Sequence, residues 1–155
     1  MKRYASMAFT LATVAFFYLA IKISDLHFVV PESESVSGNL FLLQNKNTSN
    51  DYVVFEYEKA PYKNYQKGKL FIKKIGCDSG QHLDIQNNKI FCNDKLIAVA
   101  LDKNREGEIL NKIDFTGTIP QDEFFALGEH PMSYDSRYFG LVNKKDVKNT
   151  ARRIF

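Results

Sequence analysis

The chain has no tryptophan, only two cysteines, three histidines and four prolines among its 155 residues. Each shortage closes off a class of function. His27, His82 and His130 are dispersed, and Cys77 and Cys92 match no zinc-ligand spacing, so no metal and no other cofactor is expected. A cysteine nucleophile lacks a natural histidine partner in the sequence, spatial pairing aside. Excess charge is also scarce. The net charge is +3 and scattered, which argues against a nucleic-acid partner. No internal repeat or low-complexity tract interrupts the chain.

What is present describes one ordinary domain. Hydrophobic residues make up 45% and charged residues 25%, and the length suffices for a single core. Thirteen phenylalanines and eight tyrosines, with many valines and isoleucines, favour strands over helices.

The N-terminus is the exception. Lys2 and Arg3 precede residues 4–21, which carry no charge. At 1.5 Å rise per residue such a helix, with a few flanking residues, spans roughly 30 Å of hydrocarbon. A cleaved signal peptide would need small residues at the third and first positions before the cut. Tyr18-Leu19-Ala20, followed by Lys22, Ser24 and Asp25, fits poorly. The expectation is an uncleaved single-pass helix over residues 1–24 in the inner membrane, with its start in the cytoplasm. Residues 25–155 then form the periplasmic domain. Ala5, Ala8, Ala12 and Ala15 fall near one helical face, either plain lipid-facing alanines or a seat for a partner helix.

Beyond the helix, residues 27–31, 40–43, 51–57, 69–76, 82–86, 89–92, 96–101, 123–127, 139–142 and 151–155 read as strands. Asn87-Asn88 is the turn of a hairpin, and Gly117-Thr118-Ile119-Pro120 is a further turn. Residues 59–68 and 102–108 read as polar loops. The predicted fold is mainly β, built from antiparallel sheets. Cys77 and Cys92 flank the hairpin, and outside the cytoplasm a disulfide between them is expected. Two free buried cysteines are the alternative.

Three stretches carry chemistry. The first is Glu32-Ser33-Glu34-Ser35-Val36-Ser37-Gly38-Asn39, a polar turn between strands in which Ser33 and Ser35 lie two residues apart. In an extended chain those hydroxyls point the same way. The second is Lys69-Leu70-Phe71-Ile72-Lys73-Lys74-Ile75-Gly76. Period two puts Phe71, Lys73 and Ile75 on one face, and Leu70, Ile72 and Lys74 on the other. A lysine flanked by Phe and Ile either snorkels at an edge or is desolvated. The difference is large. Near pKa 10.4 about one lysine in a few thousand is neutral at pH 7, whereas near pKa 8 about a tenth are, enough for a general base. The third is Ser133-Tyr134-Asp135-Ser136-Arg137-Tyr138-Phe139-Gly140, which by itself reads as an Asp–Arg pair in a tight turn.

Ser33-Glu34-Ser35-Val36, then Lys73-Lys74 before Gly80, then Ser133-Tyr134-Asp135-Ser136-Arg137-Tyr138-Phe139-Gly140, all behind an N-terminal helix, resemble the type I signal peptidases over nearly the whole chain. The ending is most similar to the conjugative-transfer branch, the TraF-type pilin-processing peptidases. The resemblance implies a membrane-anchored serine endopeptidase that trims an exported precursor such as a conjugative pilin, with cyclisation as a further outcome, beside a conjugation or secretion apparatus. It implies Ser35 as nucleophile and Lys73 as general base. The Ser35 amide and the Ser33 hydroxyl would form the oxyanion hole. Ser133 would orient Lys73, and Asp135 and Arg137 would form a supporting pair with Lys74 as a second cation near Asp135. Val29, Pro31, Val36, Leu40, Phe71 and Ile72 would line pockets for small side chains, alanine above all. The chain departs from the family pattern at Ser37, where proline is usual, at Ser79-Gly80-Gln81 in place of Pro-Gly-Asp, and at Gly128-Glu129-His130 in place of Gly-Asp-Asn. A housekeeping signal peptidase and an inactive, membrane-tethered assembly factor are the other readings.

Overall fold

The structure, a computed structural model, describes residues 2–23, 26–46, 51–56 and 69–155, with the backbone alone for residues 2–9, 21 and 23. It opens with helix α1 (Lys2–Ile23), whose apolar side chains Leu11, Val14, Phe16, Phe17 and Leu19 are exposed. Among the described residues no helix is long and apolar enough to cross a membrane. The helix expected over residues 1–24 is present from Lys2 to Ile23. The side chains of Lys2, Arg3, Ala5 and Ala8, together with Ser24 and Asp25, lie outside the described residues, as do Tyr57 and the loop over 59–68.

The strands are β1 (His27–Val29), β2 (Phe41–Asn45), β3 (Tyr52–Glu56), β4 (Leu70–Cys77), β5 (His82–Gln86) and β6 (Lys89–Cys92). They continue with β7 (Lys95–Val99), β8 (Gly117–Thr118) and β9 (Glu123–Leu127), then, after helix α2 (Ser136–Phe139), β10 (Val142–Asn143) and β11 (Val147–Arg153). They form two antiparallel sheets, as expected. One has the order β1-β2-β11-β3-β4-β9-β10 and the other β7-β6-β5-β8.

Side-chain alternation builds the core on both faces of the larger sheet. Val36, Phe41, Tyr52, Val54, Ile72 and Ala151 pack on one face, and Val53, Phe55, Phe71, Phe124, Ala126 and Val142 on the other. A third cluster, including Leu83, Ile90, Ile119, Phe125 and Tyr138, joins the smaller sheet to β9 and α2. The smaller sheet is fixed by local chemistry. Asn87 and Asn88 take φ of 48° and 68°, and Asn93 and Asp94 take 45° and 64°. Those are the positive values that two-residue hairpin turns require.

Three readings are corrected. Residues 139–142 are not a strand: Ser136–Phe139 is one helical turn and β10 begins at Val142. The Asp135 carboxylate accepts the Arg137 N–H and caps that turn, overriding the strand preference of Tyr138-Phe139. Gly117-Thr118 is a short strand beside His82 and Leu83 rather than a free turn. Ile75, expected to share a buried face with Lys73, is 38% exposed, because the pairing of β4 with β9 shifts register between Ile75 and Cys77.

Cys77 and Cys92 are bonded, tying the end of β4 to β6 across a separation of 15 residues. A loop of that length corresponds to about 3 kcal/mol of chain-entropy stabilisation. Replacing both cysteines by alanine is expected to lower the unfolding free energy by about 2–4 kcal/mol in a denaturant titration. A loss under about 0.5 kcal/mol would show that the bond does not brace the fold.

Candidate active site

The site grows from the middle of β4. Lys73 pairs in register with Val53 of β3 and shares its face with Phe71. It is only 2% exposed. An ammonium there loses its hydration, and that burial pulls the pKa down to about 8; the Asp135 charge pulls it up and Arg137 pushes it down again. The amine is not left unsatisfied. Its Nζ donates to Ser133 Oγ at 2.7 Å and sits 6.0 Å from the centre of the Phe71 ring. The sequence left snorkelling and desolvation both open; the structure places the lysine in the desolvated state.

Ser133 reaches Lys73 because Gly128 gives way. A Cβ at Gly128 would lie 2.0 Å from Ser133 Oγ and 3.0 Å from the Ser35 carbonyl oxygen. The loop from Gly128 to Arg137 is wound around one buried ion pair. Asp135 Oδ1 accepts from Arg137 N at 3.1 Å and from Nε at 2.8 Å, and Oδ2 accepts from Nη2 and from Gly128 N, each at 2.8 Å. The remaining guanidinium donors take the carbonyls of Val99, His130, Pro131 and Ser133. Burial alone would lower the Arg137 pKa; the hydrogen bonds and charge of Asp135 outweigh it and raise the pKa. Among the described residues no buried side-chain nitrogen or oxygen lacks a partner.

The serine turn lies opposite. Residues 32–37 are bent rather than extended, yet the Ser33 hydroxyl still donates to Ser35 Oγ at 3.0 Å. Glu129 holds the turn from both sides. Its N–H donates to the Ser35 carbonyl at 2.8 Å, and its carboxylate accepts from Ser37 N and Ser37 Oγ, each at 2.6 Å. Arg153 adds bonds to Ser37 O and Oγ. The Lys74 ammonium lies 2.6 Å from Glu129. Partial burial would raise the Glu129 pKa, but the bonds from Lys74 and Ser37 prevail and bring it down to about 2. The expectation that Lys74 neighbours Asp135 is thereby corrected. Successive strand residues face opposite sides, so Lys73 turns to Ser133 while Lys74 turns to Glu129.

Ser33, Ser35 and Lys73 line one cleft of about 500 Å³. Ser35 Oγ is engaged with Ser33, and Lys73 with Ser133. Of the expected pocket residues, Val29, Pro31, Val36, Phe71 and Ile72 line it and Leu40 does not. Leu40 alternates with Phe41 and Leu43, and its backbone bonds Ile154 and Phe155 instead. Val30, Glu32, Leu43, Val54, Lys69 and Leu70 also line the cleft and were missed. Leu43 had a signal, since it shares strand parity with Phe41. Val54 had none, because its place depends on pairing with Ile72 across β3 and β4.

Arg137→Ala is expected to destabilise the chain by about 3–5 kcal/mol, read from the denaturant midpoint, because it strands the buried Asp135 carboxylate. Arg137→Lys should recover only part of that, since an ammonium cannot span the same acceptors. A loss below about 1 kcal/mol in Arg137→Ala would show the pair to be dispensable.

Comparison with known proteins gives the family. "Inactive signal peptidase IA" of Staphylococcus aureus, in strains N315 and MW2, is 27% identical over 89 residues, which cover 54% of this chain and 51% of those proteins. The chain thus spans about half the length of the curated relatives it matches. A solved signal peptidase I from Enterococcus faecalis V583 matches at 20% identity and a TM-score of 0.41, covering 69% of this chain and 98% of that one. The family described as signal peptidase, peptidase S26, matches residues 1–155, the whole chain, and this chain belongs to it.

Proposed function

We propose that the chain is a membrane-anchored serine endopeptidase that removes a signal or propeptide from an exported precursor, with Ser35 as nucleophile and Lys73 as base. One observation carries the reading: a buried amine with a pKa near 8, aimed by Ser133, lines the same cleft as Ser35. In the reaction, Ser35 Oγ leaves its bond with Ser33 and is approached by Lys73 within the shared cleft. The neutral amine takes the hydroxyl proton as Oγ attacks the scissile carbonyl. Negative charge on the carbonyl oxygen falls to the Ser35 N–H and the Ser33 hydroxyl. The C–N bond breaks, Lys73 returns its proton to the departing amine, and an ester remains on Ser35. Water, deprotonated by Lys73, hydrolyses the ester and releases the new carboxylate.

The substrate lies extended. Among the described residues β1 is the end strand of its sheet and β9 joins β4 from Lys74 onward, and the extended peptide runs along the cleft between β1 and β4. Val29, Pro31, Val36 and Ile72 then meet small apolar side chains. The anchor is α1, with residues 4–21 uncharged and Lys2 and Arg3 on the cytoplasmic side, so that the cleft works at the periplasmic face. Within this reading the precursor is a conjugative pilin. Mass spectrometry of the mature pilin distinguishes a ring from a linear chain, since a ring lacks one water. A second reading, a non-catalytic assembly factor, draws on the word "inactive" in the names of the S. aureus relatives and on the Ser33–Ser35 bond that occupies the nucleophile.

Co-expression with a pilin precursor is the direct test. Ser35→Ala and Lys73→Ala are each expected to lower processing at least about 10³-fold. Processing that persists in either variant favours the assembly-factor reading or another nucleophile.

The pH profile is a separate test. The folded-state pKa of Lys73 lies below its ordinary value, so neutral amine accumulates as pH rises through about 8. The expected kcat/KM climbs about tenfold per pH unit below that point and levels above it. A flat profile from about pH 6 to 9 would remove Lys73 from the role of base.

A further inference from the structure

The two walls of the cleft are tied together at a point the chemistry does not need. Lys69, the residue before β4, sets Nζ 2.8 Å from Glu32 Oε2 on the opposite wall. Both residues line the cleft with Ser33, Ser35 and Lys73. The hydrogen bond from Lys69, and then its charge, hold the Glu32 carboxyl below its ordinary pKa. Both side chains are exposed, so the bridge is weak and opens readily.

Its place along the cleft follows from topology. Every neighbouring pair across β1-β2-β11-β3-β4 is antiparallel, so β1 and β4 run in the same direction. Glu32 precedes Ser35 by three residues and Lys69 precedes Lys73 by four. The bridge therefore crosses the cleft upstream of the reacting groups on both walls. At about 3.3 Å per extended residue it lies at most roughly 13 Å from them, a distance of at most about four residues on a bound peptide.

We propose that the Glu32–Lys69 bridge is a charge filter that sets which substrate residue is accepted within about four positions of the scissile bond. The proposal rests on the peptidase reading, in that the occupant of the cleft is an extended peptide. With the bridge closed, a passing side chain meets two charges that cancel, and a charged side chain must break the bridge to gain a partner. Without Lys69, the Glu32 carboxylate attracts a basic residue. The expected change is thus carried by the Glu32 carboxylate.

The test uses peptides from one cleavage site carrying Ala, Glu or Lys at the second, third or fourth residue on either side of the scissile bond, one position at a time. kcat/KM is measured for the full chain and for Lys69→Ala, Glu32→Ala and the double variant. Relative to the Ala peptide, the Lys peptide should gain about twofold to fivefold in Lys69→Ala, at one position. Glu32→Ala and the double variant should show no such gain. Identical charge preferences in all four proteins overturn the filter. The same peptides, fluorescently labelled, are titrated against each protein in a Ser35→Ala background. A bridge-dependent binding preference with no Ser35-dependent cleavage overturns the peptidase reading alone. Ser35-dependent cleavage that ignores charge overturns the filter alone, and absence of both binding and cleavage overturns both.

Discussion

The Asp135–Arg137 pair is the constraint on which the site depends. It occupies a loop with little apolar content of its own, and it converts eight residues of turn into a rigid shelf. Every guanidinium nitrogen is committed, to Asp135 or to the carbonyls of Val99, His130, Pro131 and Ser133. The carboxylate in turn holds the Gly128 amide and caps α2. A buried pair of this kind is costly to desolvate and is weak evidence for stability in itself. Its value here is positional. It fixes Ser133, and Ser133 fixes an amine that the sheet has stripped of water.

That amine shows how an ordinary strand produces an unusual group. β4 is a buried strand with Phe71 and Ile72 on its two faces, and Lys73 takes the slot that alternation would give to another apolar residue. The neighbouring lysine, one residue on, faces a carboxylate and has its pKa raised, chiefly by the hydrogen bond to Glu129. Two identical side chains, adjacent in sequence, are thus driven in opposite directions by the parity of a strand.

Much of this was legible in the sequence where the cause is local. The hairpin at Asn87-Asn88 and the strand Glu123–Leu127 rest on turn chemistry and short-range alternation, and both stand where expected. The disulfide followed from its place beside that hairpin. The family was legible from the order of the serine, lysine and Ser-x-Asp-x-Arg stretches. Non-local features were not. β11 inserts between β2 and β3 although more than a hundred residues separate it from β2. The clamp of Glu129 on Ser37 joins residues 92 apart, and no pattern around either one announces it. Leu40 stands one residue out of phase with the cleft, whereas Lys74 keeps the face alternation gave it and meets Glu129 there instead of Asp135.

The grip of Glu129 on the serine turn has a consequence in acid. Its carboxyl, ordinarily near 4.5, protonates only near 2. The stabilisation it provides is therefore in full force above about 4.5 and is lost only as pH falls through about 2. Lys73 is already fully protonated several units higher. Between those limits Lys73 carries its charge while the Glu129 carboxylate keeps its hold on Ser37, so falling pH reaches the buried amine long before it reaches the clamp.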